Sequence, residues 1–235
     1  MKSIGYIFMT FVLLVVFSSC MKLDDAPMPG ETLQGILIDR TTGKPFITES
    51  GGVEIRLEEL SWSDTPAPQG FPCKEDGTFF NSKIFKGQYR VTPRAGAFLA
   101  WPDKGGKVLD INGITALNLE VDPNLTLEIT DFQQTGNKFT VKCKIVNANS
   151  TEEILDVKVF VNNTKFVGNG SFINQADWDP KQDVNAAWTD VKDTEYEFTV
   201  ENLKQDRTFY MRVGARVDDE FKRYNYTEVV EIKVP

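Results

Sequence analysis

The 235-residue chain contains no histidine. That single absence removes imidazole-based triads, most zinc sites and the commonest general base together. Cysteine is scarce, with only Cys20, Cys73 and Cys143. Positive charge is in deficit, 26 Lys and Arg against 34 Asp and Glu, for a net charge of −8. Nucleic acid needs a basic face, so it is excluded as a partner. The apolar run from Ile7 to Phe17, interrupted only by Thr10, falls well short of the roughly 20 residues that a membrane-spanning helix requires. No repeat, no low-complexity tract and no convincing helical period follows it.

What is present begins with an address. Met1-Lys2-Ser3 is a short positive start, the apolar run forms a centre, and Ser18-Ser19 supply small residues before Cys20. Together they read as a secretory signal over residues 1–19. The stretch Phe17-Ser18-Ser19-Cys20 resembles the lipobox of bacterial lipoproteins, with Phe17 where the commonest boxes have Leu. The resemblance implies cleavage before Cys20 and attachment of a lipid to its sulfur. Buried acyl chains, at about 0.8 kcal/mol per CH₂, would then hold the chain to a membrane. Residues 20–32 are polar and Pro-containing, which suits a tether. Asp24-Asp25 resembles the acidic signal that sends Bacteroidetes lipoproteins to the cell surface; a solvated linker is the other reading. The expected location is the outer membrane, lipid-anchored and facing outward, with the periplasmic face as the alternative. Removing Lys2 with the signal takes the charge of the mature chain from −8 to −9.

About 215 residues remain, enough for two domains that each bury a core. Alternation of apolar and polar residues dominates them. Phe139, Val141, Cys143 and Ile145 point one way; Val157, Val159 and Val161 repeat the pattern. So do Tyr196, Phe198 and Val200, and the row from Phe209 to Val217, with Arg212 and Arg216 assigned outward. Antiparallel sheets with one wet face produce this period of two. The expected fold is all-β, two consecutive antiparallel sandwiches over 33–121 and 122–235, divided at Asp122-Pro123-Asn124. The remote pair Cys73 and Cys143 is expected to stay unbridged, with Cys143 serving as a small buried apolar residue.

Several segments resemble known modules. Leu33 to Asp39 with Thr42-Gly43-Lys44-Pro45 is similar to the opening hairpin of carboxypeptidase-regulatory-like, prealbumin-like sandwiches. The likeness continues through Val53 to Leu57, Glu75-Asp76-Gly77-Thr78-Phe79 and Phe85 to Val91. Gly77 permits the turn, while Phe79 and Tyr89 fill the core. Leu203 to Asp206 followed by Thr208 to Ala215 resembles a fibronectin type III or immunoglobulin-like sandwich, with Phe209 at the inward position and Tyr210 outward. The whole order, including the loop Ser61 to Gln69, resembles a family of two-domain Bacteroidetes lipoproteins of unknown function. That resemblance implies a place beside outer-membrane polysaccharide uptake, with a glycan and an uptake complex as partners, and it implies no reaction.

Three places carry candidate chemistry. Trp62 with Asp64 and Gln69 has an aromatic face for sugar CH groups and polar atoms for hydroxyls; alternatively, Trp62 pins its Pro-rich loop to the sandwich edge. Trp101 either shares a platform with Trp62 or caps the first core. Residues 172–191 show no strand alternation and contain Asp177, Trp178, Asp179 and Asp183, a candidate sugar or calcium loop or else a solvated acidic one. Their spacing matches no calcium motif, so no metal or other cofactor is expected. The 34 carboxylates would allow a glycosidase pair, yet none is distinguished by context, and no enzyme is expected. The functional expectation is an accessory lipoprotein that binds or presents a glycan. Its alternative is a structural protein that docks an uptake partner without touching sugar.

Overall fold

The computed structural model describes residues 28–102, 104–173 and 180–235. Cys20, Asp177, Trp178 and Asp179 lie outside them. Among the described residues almost all of the regular structure is strand, in two sandwiches, and no helix is long and apolar enough to cross a membrane.

In the first sandwich, β1 (Glu31–Asp39), β4 (Thr78–Ile84) and β7 (Ile114–Val121) form one sheet, in the order β4-β1-β7. The other holds β2 (Glu54–Glu59), β3 (Gln69–Pro72), β5 (Gly87–Arg94) and β6 (Lys107–Ile111), in the order β3-β2-β5-β6. Leu33, Leu37, Phe79 and Leu119 face Ile55, Leu57, Tyr89 and Val91 across a dry interior, all of them buried. Gly35 is needed where β1 meets β7, because a Cβ there would lie 1.7 Å from the Leu117 carbonyl oxygen. Gly77 takes φ 81° in the turn before β4, the conformation expected of it. The turn after β1 folds residues 44–46 back antiparallel on its end, through Asp39 N–H to Lys44 O and Phe46 N–H to Leu37 O, both at 2.9 Å, and a bridge between Ile38 and Pro45. The returning arm is short, and the chain then crosses to β2 in the opposite sheet, while β1 pairs with β4 and β7.

The second sandwich sets β8 (Leu125–Thr135), β9 (Lys138–Ala148) and β12 (Tyr196–Val200), in the order β12-β9-β8, against a larger sheet. That sheet contains β10 (Ile154–Asn162), β11 (Lys181–Ala186), β13 (Arg207–Val217), β14 (Tyr224–Tyr226) and β15 (Val230–Val234). Its order is β11-β10-β13, with β14 and β15 sharing the far edge of β13. This is the immunoglobulin-like arrangement that the sequence suggested. Phe139, Val141, Cys143 and Ile145 pack on Val157, Val159, Val161, Met211 and Val213. Phe209 points inward and Tyr210 is only half-buried, as expected.

Two expectations fail here. Residues 172–191 are not one irregular loop: they include β11 and a single helical turn, α1 (Trp188–Val191), with Trp188 packed against the second core. Arg212 is not outward in the sense of wet, being 1% exposed. The face of β10 and β13 turned away from the main core is itself covered. Phe160, Val167, Tyr224 and Tyr226 form a second buried cluster there, and the first sandwich closes over Arg212.

That closure fixes the junction. Leu99 N–H donates to Asp122 O at 2.9 Å, Asn124 N–H to Ala97 O at 3.0 Å, and Asn149 Nδ2 to Pro123 O at 2.9 Å. Asn225 serves both sides: Nδ2 donates to Ala97 O at 2.8 Å, and Oδ1 accepts from Leu125 N–H at 2.9 Å. Glu49, buried in the first domain, accepts from Gly170 N–H at 2.7 Å and pairs with Arg223 at 3.5 Å. Three residues join the sandwiches in sequence, but their hydrogen bonds make the junction a packed interface.

Candidate functional site

Trp62 stands at 86% exposure in the connection between β2 and β3. The reading in which it folds over the sandwich edge is therefore set aside. The backbone on either side is tied down. Ser61 Oγ accepts from Gln88 N–H at 3.2 Å, and Ser63 Oγ accepts from Thr65 N–H at 3.1 Å. Leu60 N–H donates to Gln88 O at 2.8 Å. With Pro66 and Pro68 restricting φ downstream, the loop holds the indole out in water instead of letting it collapse. Asp64 and Gln69 are also exposed, and Gln69 opens the edge strand β3.

Trp101 does not join Trp62. Strand β2 pairs with β5 so that Glu59 lies opposite Tyr89 and Glu54 opposite Arg94. The Trp62 loop leaves from the Glu59 end, while residues 95–101 leave from the Arg94 end. Five residues at about 3.3 Å each separate those ends by roughly 17 Å. Trp101 packs instead on the first core and lines a cleft of about 450 Å³ between the two domains. Trp62 is not among that cleft's lining residues.

The cleft is built locally by the segment after β5. Ala95 takes φ 58°, and Gly96 leaves room for the ring of Phe98, which would lie 2.1 Å from a Cβ at that position. Phe98 then bridges to Pro123, and Ala97 O receives the bonds from Asn124 and Asn225. One wall is thus apolar, with Pro93, Phe98, Leu99 and Trp101. The facing wall comes from the second domain and carries Ser150, Thr151, Glu152, Asp219 and Glu220, with Phe221 beside them. Asp219 is committed to structure, accepting from Asn124 Nδ2 at 2.8 Å and from Lys222 N–H at 2.6 Å. Glu152 and Glu220 are exposed at the cleft mouth.

Two family models match the chain. One, a protein of unknown function N-terminal domain (DUF3823), covers residues 31–122; the other, a domain of unknown function (DUF3823_C), covers 125–231. The chain belongs to the DUF3823 family. A crystal structure of a DUF3823 protein from Bacteroides uniformis ATCC 8492 is 26% identical, with TM-score 0.76, over 88% of this chain and 100% of that one. Another, from Parabacteroides merdae ATCC 43184, is 19% identical with TM-score 0.68 over the same shares. A third, from B. uniformis ATCC 8492 and provisionally described as a carbohydrate binding protein, is 21% identical with TM-score 0.71, again over 88% and 100%. No curated protein matches the chain.

In this DUF3823 chain Asp183, one of the calcium candidates, lies on β11 and pairs with Lys181 at 2.7 Å. No group of three or more carboxylates or thiols suited to a metal occurs among the described residues. Cys73 and Cys143 are free and buried in separate cores. Burial, aided by the nearby Asp76, pushes the Cys73 thiol up to about 12; burial and then Glu195 push Cys143 up to about 12. Neither is a nucleophile at neutral pH. Sequence reading missed Glu152, Glu220 and Phe221 because the cleft gathers them from separate loops; of its members only Trp101 carries a local signal.

Proposed function

We propose that this DUF3823 protein is a non-catalytic lipoprotein, anchored through Cys20 to the outer membrane and displayed at the cell surface, that holds a glycan as an accessory to polysaccharide uptake. The observation that carries this reading is Trp62, 86% exposed on a loop whose backbone is hydrogen-bonded on both sides of it. An indole so held keeps a large apolar face in water, where a sugar's CH groups can cover it while Asp64 and Gln69 take hydroxyls. The carbohydrate-binding description of one structure with the same fold agrees with it. Trp178 and Asp179, also read as glycan contacts, lie outside the described residues. Electrophoresis of the mature protein through gels containing neutral polysaccharides is the test. Retardation of the wild type, much reduced in Trp62→Ala, is expected; equal mobility of the two proteins in every retarding gel would exclude the Trp62 platform.

A specific surface supports a second reading, docking of a partner. On the outer face of the β4-β1-β7 sheet, Phe80 lies opposite Gln34 and Gln34 opposite Ala116, with Thr32 opposite Ile114. Phe80 is 55% and Ile114 77% exposed. This row carries no charge in a strongly acidic chain, which suits a protein surface. Capture of an outer-membrane protein by the wild type and not by Phe80→Lys, with no retardation by any polysaccharide, would favour docking.

A further inference from the structure

We infer that the inter-domain cleft is a second saccharide site, specific for an uncharged pyranose and closed to acidic sugars. The inference rests on the glycan-holding reading above, but on residues independent of the Trp62 loop.

The cleft's walls differ in kind. Trp101, Leu99, Phe98 and Pro93 make one wall, and Ser150, Thr151, Glu152 and Glu220 line the other, with Phe221 beside them. A pyranose ring has the same division, an apolar face of CH groups and a rim of hydroxyls. The ring would lie along Trp101 and turn its hydroxyls to the polar wall, where carboxylates accept hydrogen bonds strongly. At about 450 Å³ the space falls within the range of small-molecule sites and at a domain interface, where such sites concentrate.

The charges set the specificity. Three carboxylates, Glu152, Asp219 and Glu220, line the cleft against one guanidinium, Arg94. Glu152 N–H donates to Ser150 Oγ at 3.1 Å, but neither the Glu152 nor the Glu220 carboxylate has a partner among the described residues. A uronic acid or sulfated sugar would bring a further negative charge among them, and like charges at short range disfavour such a complex. A neutral sugar meets no such penalty and offers the donors that these acceptors lack.

The site is also preformed. The Trp101 segment is held by Leu99 N–H to Asp122 O at 2.9 Å, by Asn124 N–H to Ala97 O at 3.0 Å, and by Asn225 Nδ2 to the same Ala97 oxygen at 2.8 Å. Little ordering is left to be done on binding, which favours affinity.

Gel retardation of the mature protein by neutral polysaccharides (starch, xylan, galactomannan, mixed-linkage glucan) and by acidic ones (polygalacturonate, chondroitin sulfate) tests the assignment. The comparison includes wild type, Trp62→Ala, Trp101→Ala and Thr151→Arg. Thr151 is exposed, so the arginine blocks the cleft without entering either core and serves as the second variant should Trp101→Ala fold poorly. In a retarding neutral gel, Trp101→Ala and Thr151→Arg are each expected to bind about tenfold more weakly, an effect within the range for a buried aromatic anchor. Trp62→Ala combined with Thr151→Arg should then bind more weakly than Trp62→Ala alone. If both cleft variants match wild type while Trp62→Ala loses binding, the cleft assignment fails and the surface reading stands. Retardation by acidic polysaccharides alone also overturns the cleft assignment. Retardation by nothing overturns both readings.

Discussion

Arg212 of β13 reaches across the domain junction to donate from Nη1 to the Thr48 carbonyl oxygen at 2.8 Å. Its guanidinium lies 3.6 Å from the centre of the Tyr226 ring, and Nε and Nη2 are buried without hydrogen bonds. A charge this deep is costly unless its surroundings hold it. Tyr226 below and the buried Glu49 nearby supply that hold, so Arg212 makes the two sandwiches interdependent.

Arg212→Ala removes the cation, its stacking and the cross-junction bond at once. The expected loss is about 2–4 kcal/mol of stability, read as a lower urea midpoint. Wild type should unfold in one transition by both tryptophan fluorescence and circular dichroism, and the variant in two as the domains uncouple.

Asn225→Ala leaves the buried Leu125 N–H without its acceptor and removes one of the two donors to Ala97 O, which keeps its bond from Asn124 N–H. One buried N–H left unpaired costs about 1–3 kcal/mol. The segment carrying Trp101 should loosen first, with faster hydrogen exchange at residues 97–101 than at β9, measured by mass spectrometry.

The thiols give the pH dependence. Cys73 and Cys143 rise from 9.0 to about 12 in the folded chain. The folded state therefore favours the protonated form, so this contribution to stability is complete below pH 9 and is lost as pH climbs toward 12. Urea midpoints should fall across that window, and the fall should shrink in Cys73→Ala/Cys143→Ala. At pH 8 the native protein should resist a thiol reagent that labels both residues in denaturant.

Cys20→Ala is expected to move the protein from the membrane fraction to the soluble fraction of a lipoprotein-processing host. Wild type should incorporate labelled palmitate and the variant should not. Retention of the variant on membranes would contradict the anchor.

Strands were legible wherever one face stays wet. On β9, Phe139, Val141, Cys143 and Ile145 alternate with Thr140, Lys142 and Lys144, and the sandwich buries the first set only. β10 and β13 were legible as strands too, but the expectation of a wet outer face failed there, because both of their faces are buried. Arg212 looks like an outward residue in its own strand; what covers it, Thr48 and Glu49, lies more than 160 positions away. The aromatic residues Phe160, Tyr224 and Tyr226 at outward positions were the available signal for a second covered face. Trp62 could be picked out from its Pro-rich loop, but its exposure depends on Ser61 and Gln88, which only the fold brings together. The cleft was least legible, because its apolar wall and its polar wall belong to different domains.

The central claim is that the Trp62 indole contacts glycan. The most direct measurement is acrylamide quenching of the fluorescence difference between wild type and Trp62→Phe, with and without a polysaccharide that retards the protein. Bound glycan should shift that difference signal to shorter wavelength and cut its quenching several-fold. A difference signal that stays red and fully quenchable while the protein is bound would contradict the account.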